Sequence, residues 1–378
     1  MKDPVEKDPA KRYKMLFRGP PKLAGFMVNG AYSGDGLHWT FYDDNPIIPM
    51  RSDTANNVFW DPRIDRYVVI TRLFSALGEF EPASGGGSDP KAGHLRIVGR
   101  TESRDFENWT PAQVLLIPDE RDRETEGTLH DMQVLQYEDV YFGFLGICHN
   151  YETSAPDAQT ESEDVEAHGV AGQMTVENVE LTFSRDGVRW IRAGDRKPFM
   201  DFVRPYTQSR EWIQIWQAPV IVGDEIWFYY NGTESVYSPN PLPDGALSGD
   251  MSDYDIAVGL AKLRLDGFIS VEASDEEGTL TTKPFKFKGN RLMINADAGA
   301  GELAVEILEY RNLYRSIDVT PMDGFTRAEC VALKDNDVRH VVAWKHGSEL
   351  RGLEGKTIKL KFYLRNAKLY SFQFRQEK

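Results

Sequence analysis

Cysteine is nearly absent from this chain, with only Cys148 and Cys330 among 378 residues. The two fall in segments that read as different domains. Neither a disulfide framework nor a zinc site is therefore expected, and both read as small buried hydrophobes. Long apolar runs are missing too: no window reaches the 18 or more apolar residues of a membrane-crossing helix. Positive charge is in deficit, since 44 Lys and Arg face 59 Asp and Glu for a formal net charge of −15. That balance argues against nucleic acid, whose binding rests on cations neutralising phosphates, and less strongly against a heavily sulfated polymer. A local Arg cluster can still override the global field. The start, Met1-Lys2-Asp3-Pro4, lacks the apolar core of a signal peptide. As written the chain reads as cytoplasmic, or as secreted or periplasmic if a leader has been removed.

Turn formers and aromatics are plentiful: 32 Gly, 20 Pro and 12% aromatic residues suit an all-β protein. The length suits two domains with full-sized cores. An internal repeat sets the architecture. Ser33-Gly34-Asp35-Gly36-Leu37-His38-Trp39 is echoed by Ser103-Arg104-Asp105-Phe106-Glu107-Asn108-Trp109 and by Ser184-Arg185-Asp186-Gly187-Val188-Arg189-Trp190. Asp266-Gly267-Phe268 is a degenerate fourth copy, so the aspartates recur every 70–81 residues. Each copy reads as a hairpin turn: Asp accepts hydrogen bonds from the turn backbone, Gly takes the positive φ, and Trp packs back onto the sheet. It resembles the Asp-box turn of sialidases and other propeller proteins, where the aspartate is structural.

A second element precedes each box. Asp3-Pro4 leads to Arg12–Arg18, Asp61-Pro62 leads to Arg66–Arg72, and Tyr137–Tyr141 and Val222–Trp227 are looser versions. One unit is then four antiparallel strands. In the second copy these are about Ala55–Trp60, Arg66–Arg72, Leu95–Glu102 and a strand after Trp109, the pattern of a propeller blade. The first copy opens after the place of its first strand, so the first blade reads as incomplete. From about Gly278 the box disappears and Ile358–Leu364 alternates apolar and polar residues, with further short strands at Leu292–Asn295, Val305–Leu308, Val338–Trp344 and Leu369–Phe374. The expectation is all-β: a propeller over residues 1–275 followed by an antiparallel β-sandwich over 276–378.

The insertions Leu73–His94, Asn150–Thr175 and Gly232–Asp253 all follow the second strand of a unit, which puts them on one face. Asp61 and the Asp224-Glu225 pair fall on the opposite turns and read as turn chemistry. At the functional rim the first strands offer Asp53 with Asn56, then Glu126, His130 and Asp131, then Glu211, Trp212 and Gln214. The ends of the second strands bring Arg18, Arg72, His149 and Asn231 to the same rim. Polar groups converging on a channel mouth are a binding-site signature. Trp212 and Trp216 alternate on one strand, for stacking on a ligand or for packing between blades. Arg18 and Arg72 suit either an anionic group on a ligand or a neighbouring acid.

With this pattern the chain resembles the five-bladed propeller glycoside hydrolases of families 32 and 43, and within them a bacterial branch similar to family 32. The matching stretches include Asp105–Thr110, Phe183–Gly187, Gly223–Tyr230, Leu263–Phe268, Leu280–Pro284 and Leu364–Phe372. The invertase motifs Asn-Asp-Pro-Asn and Arg-Asp-Pro do not occur, and Glu329-Cys330 falls in the second domain. The resemblance implies hydrolysis of a plant, microbial or algal carbohydrate by carboxyl groups flanking the scissile bond, with a third acid that tunes the proton donor. It assigns Asp53 as base or nucleophile, Asp131 as the tuning acid or sugar anchor, and Glu211 as proton donor. No cofactor is required, though a structural Ca²⁺ in the central channel is compatible with it. Two other readings stand beside it. One is a non-catalytic carbohydrate-binding propeller. The other is a metal-dependent propeller hydrolase, to which Asp53, Asn56 and Asp131 would give part of an oxygen ring. Neither nucleic acid nor membrane is an expected partner.

Overall fold

The computed structural model describes residues 1–18, 27–52, 56–76, 94–124, 127–152, 173–201, 212–233, 256–313, 316–350 and 352–376. The architecture is all-β, and the α-helix among the described residues is the single turn Glu120–Glu124. No described helix is long and apolar enough to cross a membrane. The chain divides into two compact units, Met1–Pro219 with Phe228–Ala261, and Val220–Trp227 with Lys262–Lys378.

In the first unit the sheets follow one another along the chain. The first holds β1 (Tyr13–Arg18), β2 (Met27–Ser33), β3 (Thr40–Phe41) and β4 (Ile48–Arg51), with β2 pairing to the other three. Lys2 bridges Tyr13, so the first residues lie along the free edge of β1. The second sheet is an antiparallel meander of β5 (Asn57–Asp61), β6 (Arg66–Ala76), β7 (His94–Ser103) and β8 (Gln113–Leu116), in that order. This is the four-strand unit expected from the repeat, although β6 continues past Arg72 to Ala76. The third sheet runs β9 (Gly127–Tyr137), β10 (Val140–Glu152) and β11 (Gln173–Ser184), with the short β12 (Ile191–Arg192) and β13 (Pro198–Met200) both on β11. β14 (Trp212–Ile215) pairs with β16 (Glu225–Thr233), and a single parallel bridge, Glu177 to Trp212, joins β14 to β11.

Burial on both faces explains the near-continuous apolar runs of the second strands. Tyr67 and Val69 of β6 pack with Val28, Ile47 and Ile48 of the first sheet's segment. Their neighbours Val68 and Ile70 pack instead with Leu129, Met132, Leu145 and Ile147 of the third sheet. Phe144 of β10 points the other way, onto Phe228 of β16 at a centroid distance of 5.0 Å. The sheets therefore stack face to face in chain order.

The three boxes fold alike. Asp35 Oδ1 accepts from Leu37 N and His38 N, Asp105 Oδ1 from Glu107 N and Asn108 N, and Asp186 Oδ1 from Val188 N and Arg189 N. Gly36, Phe106 and Gly187 hold the positive φ, at 80°, 71° and 71°. The fourth copy differs: Asp266 itself takes the positive φ, 57°, and its carboxylate accepts from Ser371 Oγ. The Asp-Pro elements tie sheet to sheet. Tyr67 Oη donates to Asp3 Oδ2 at 2.7 Å, and Tyr141 Oη donates to Asp61 Oδ2 at 2.5 Å. Asp61 Oδ1 accepts from Arg63 N, the turn role expected of it.

In the second unit β15 (Val220–Val222) forms a hairpin with the start of β16, and the latter part of β17 (Ile256–Arg264) follows. Two four-stranded antiparallel sheets come next. One is β18 (Val271–Ala273), β25 (Ala367–Arg375), β20 (Arg291–Asp297) and β23 (Asn336–Val341). The other is β19 (Gly278–Thr281), β24 (Ile358–Arg365), β21 (Glu302–Leu313) and β22 (Ser316–Pro321). They enclose one core in which Leu292, Ile294 and Leu369 meet Val305, Ile307, Leu360 and Phe362. Burial along β24 alternates as its sequence does. Glu329-Cys330 serves locally here, Glu329 in a capping box and Cys330 Sγ as acceptor for Val305 N. Asp224 pairs with Arg339, and Glu225 with Lys262 at 3.0 Å.

Candidate functional site

The site grows from an irregularity in the pairing of β9 with β10. Met132 pairs with Leu145 and Leu129 with Ile147, so His130 and Asp131 together oppose Gly146 alone. Such a two-against-one bulge turns consecutive side chains toward the same side, which a regular strand forbids. Gln214 of β14 reports the result. Its Nε2 donates to Asp131 Oδ2 at 2.5 Å and lies 3.3 Å from His130 Nδ1.

β11 adds a second acid. Glu177 stands opposite Cys148 in the β10–β11 ladder, and its Oε2 lies 3.1 Å from His130 Nδ1 and 3.8 Å from Cys148 Sγ. Glu177 and Cys148 are fully buried, and Asp131, His130 and Gln214 nearly so. Glu177 Oε1 has no hydrogen-bond partner among the described residues. Gly146 makes room for both acids: a Cβ there would meet Glu177 Oε1 at 2.3 Å and Asp131 Oδ1 at 2.8 Å. Arg72 and Arg96 add two guanidinium charges from the second sheet. Arg72 shares a face of β6 with Val68 and Ile70, and Arg96 is its diagonal neighbour on β7.

Burial dominates the electrostatics. It pushes the Asp131 carboxyl up to about 6, against the pull of Gln214's hydrogen bond and Arg72. Glu177 is pushed well above the usual carboxyl range by burial and then by the Asp131 charge. Burial, then Glu177, raises the Cys148 thiol, while burial, with Arg72 and Arg96, pulls His130 well down. The arrangement therefore gathers two carboxyl groups, a neutral imidazole and a thiol in one buried cluster, with two guanidinium groups in range.

Of the residues expected at the rim, His130, Asp131 and Gln214 come together here, and Arg72 acts on them electrostatically. Arg18 ends β1 exposed, and His149 and Asn231 are half-buried on β10 and β16. Asn56 Oδ1 accepts from Thr71 Oγ1 at 2.6 Å. Trp212 opens β14, with its side chain outside the described residues, and Trp216 is exposed just beyond that strand. Asp53, Glu126 and Glu211 lie outside the described residues. Glu177 and Cys148 were not singled out by the sequence as site residues. A signal for Glu177 existed: in Glu177-Asn178-Val179-Glu180-Leu181-Thr182-Phe183 it occupies the apolar register of its strand.

No family model matches the chain, and no curated protein matches it. Solved structures do. An N-acetylgalactosamine deacetylase from F. plautii is similar at 13% identity over 70% of this chain and 76% of that one, with a TM-score of 0.38. A β-1,2-mannobiose phosphorylase from Listeria innocua is similar at 15% identity over 71% and 68%, with a TM-score of 0.36. The GH32 β-fructofuranosidase of Bombyx mori is similar at 11% identity over 93% and 73%, with a TM-score of 0.30. What those three bind and act on is a property of those proteins.

Proposed function

We propose that this protein hydrolyses a glycosidic bond in a plant, microbial or algal carbohydrate, using carboxyl groups gathered at the channel of a five-bladed-type propeller. The observation that carries the reading is the bulge at Gly146, which sets Asp131 beside Glu177 and Gln214. A regular strand would have turned Asp131 away from His130. Asp131 serves as the anchoring acid that orients the sugar and tunes the donor. Asp53, as base or nucleophile, and Glu211, as proton donor, complete the set expected from the sequence. Glycoside hydrolysis needs such carboxyl groups on either side of one bond. Arg72 and His130 line the same cluster and suit the hydroxyl groups of a sugar.

The test is turnover of aryl glycosides and of plant and algal polysaccharides by the wild type and by Glu211→Gln. Removal of a proton donor lowers the rate by about 10²–10⁴-fold. A substrate with an activated leaving group loses much less, because it needs less protonation. Sugar binding survives, since Gln keeps the shape and a hydrogen-bonding group. Binding without turnover in the wild type points instead to a carbohydrate-binding scaffold. Equal losses on activated and unactivated substrates remove Glu211 from the donor role.

A further inference from the structure

Two side chains of the buried cluster, Cys148 and Glu177, have no part in that hydrolysis, and His130 stands beside them. The candidate ligand atoms of the three all lie within 4.8 Å of one another, and all three residues are buried. We propose that the His130 imidazole, the Cys148 thiolate and a Glu177 carboxylate oxygen form a three-ligand site for one divalent transition metal ion of the zinc class, with a fourth position open.

The spacing is the first support. Zinc bonds to N, O and S of usual length in a tetrahedron put N···O and S···O neighbours about 3.4 and 3.6 Å apart. Here His130 Nδ1 and Glu177 Oε2 are 3.1 Å apart, and Cys148 Sγ and Glu177 Oε2 are 3.8 Å apart. Small side-chain rotations close both differences. The backbone fixes the set, because Cys148 and Glu177 are cross-strand partners and the bulge delivers His130. A second, independent observation is Glu177 Oε1, a fully buried acceptor with no hydrogen-bond partner among the described residues. Burying a carboxylate and a thiolate side by side is costly unless a cation pairs with them. Arg72 and Arg96 act against a cation at this place, and the Asp131 carboxylate beside it acts in favour.

The donor set selects the metal. Thiolate with imidazole and carboxylate suits zinc and its neighbours, whereas Ca²⁺ and Mg²⁺ take oxygen ligands. Three protein ligands with an open fourth position is the coordination of catalytic rather than structural zinc. The inference does not depend on the glycosidase reading, and its test is binding, not turnover.

The full chain, stripped with a chelator and titrated with Co²⁺, should bind one equivalent. An intense near-ultraviolet band from thiolate to cobalt should grow with it. Cys148→Ser should abolish that band, and Glu177→Gln should weaken binding at least tenfold, while Cys330→Ser changes neither. Circular dichroism shows whether each variant is folded. A second measurement avoids variants altogether: X-ray absorption of the zinc-loaded wild type should place one sulfur at about 2.3 Å. Absence of stoichiometric binding overturns the proposal. So does an all-nitrogen-and-oxygen shell, or a band that persists in folded Cys148→Ser.

Discussion

A methyl group on Gly146 has nowhere to go, because Glu177 and Asp131 already occupy the space it would take. Both acids sit in a hydrogen-bonded, buried cluster, so neither moves aside freely. Gly146→Ala should therefore destabilise the fold by about 1–3 kcal/mol, the usual cost of overpacking, despite the gain that Ala brings by restricting the unfolded chain. Urea denaturation measures it, and a neutral or stabilised variant would contradict the crowding. The buried phenols give a graded comparison. Tyr141→Phe leaves Asp61 Oδ2 without its donor, at a cost of about 1–3 kcal/mol. Tyr67→Phe should cost less, because Asp3 keeps Lys14 Nζ at 3.3 Å. Equal losses in the two variants would show that Lys14 does not compensate.

Among elements, the box turn was the most legible, since each of its hydrogen bonds is made within a few residues. The serine and aspartate spacing alone specifies the acceptors, and only the fourth copy misled, because its aspartate takes the positive φ in place of the glycine after it. Strand pairing was legible for the same reason in β5 to β8 and in β24, where alternation and turn residues agree. The bulge on β9 was not. It arises from a mismatch between two strands, which neither strand encodes by itself, and with it the company that Asp131 keeps was hidden. Cys148 is buried as its sequence reading has it, but its partner Glu177 lies on another strand, and that pairing was hidden. The first box also carries a pH signature. His38 Nδ1 lies 2.7 Å from Asp35 Oδ2, and the hydrogen bond and charge of Asp35 raise the His38 imidazole. Backbone and ring bonds from His38 lower Asp35 in turn. The pair's contribution is complete at mildly acidic pH. It fades as pH rises through the raised His38 value, and again as pH falls through the lowered Asp35 value. Proton NMR titration should find His38 above a free imidazole, and Asp35→Asn should bring it back. An unshifted His38 in the wild type would rule the pair out.

For the whole molecule, a net charge of −15 bears on the proposed hydrolysis, because it opposes the approach of anionic substrates. Sulfated polysaccharides meet repulsion that screening relieves, because the Debye length falls from about 30 Å at 0.01 M to about 8 Å at 0.15 M salt. Turnover of a sulfated substrate should rise severalfold across that range, while that of a neutral one should hardly change. A fall with salt would instead reveal a local basic patch that attracts anions. The ties between successive sheets also bear on how the chain is made. The Asp3–Tyr67 and Asp61–Tyr141 bonds span 64 and 80 residues. During synthesis an aspartate therefore leaves the ribosome one full repeat ahead of the phenol that will hold it. Where folding keeps pace with synthesis, these two ties close only after the later sheet has emerged.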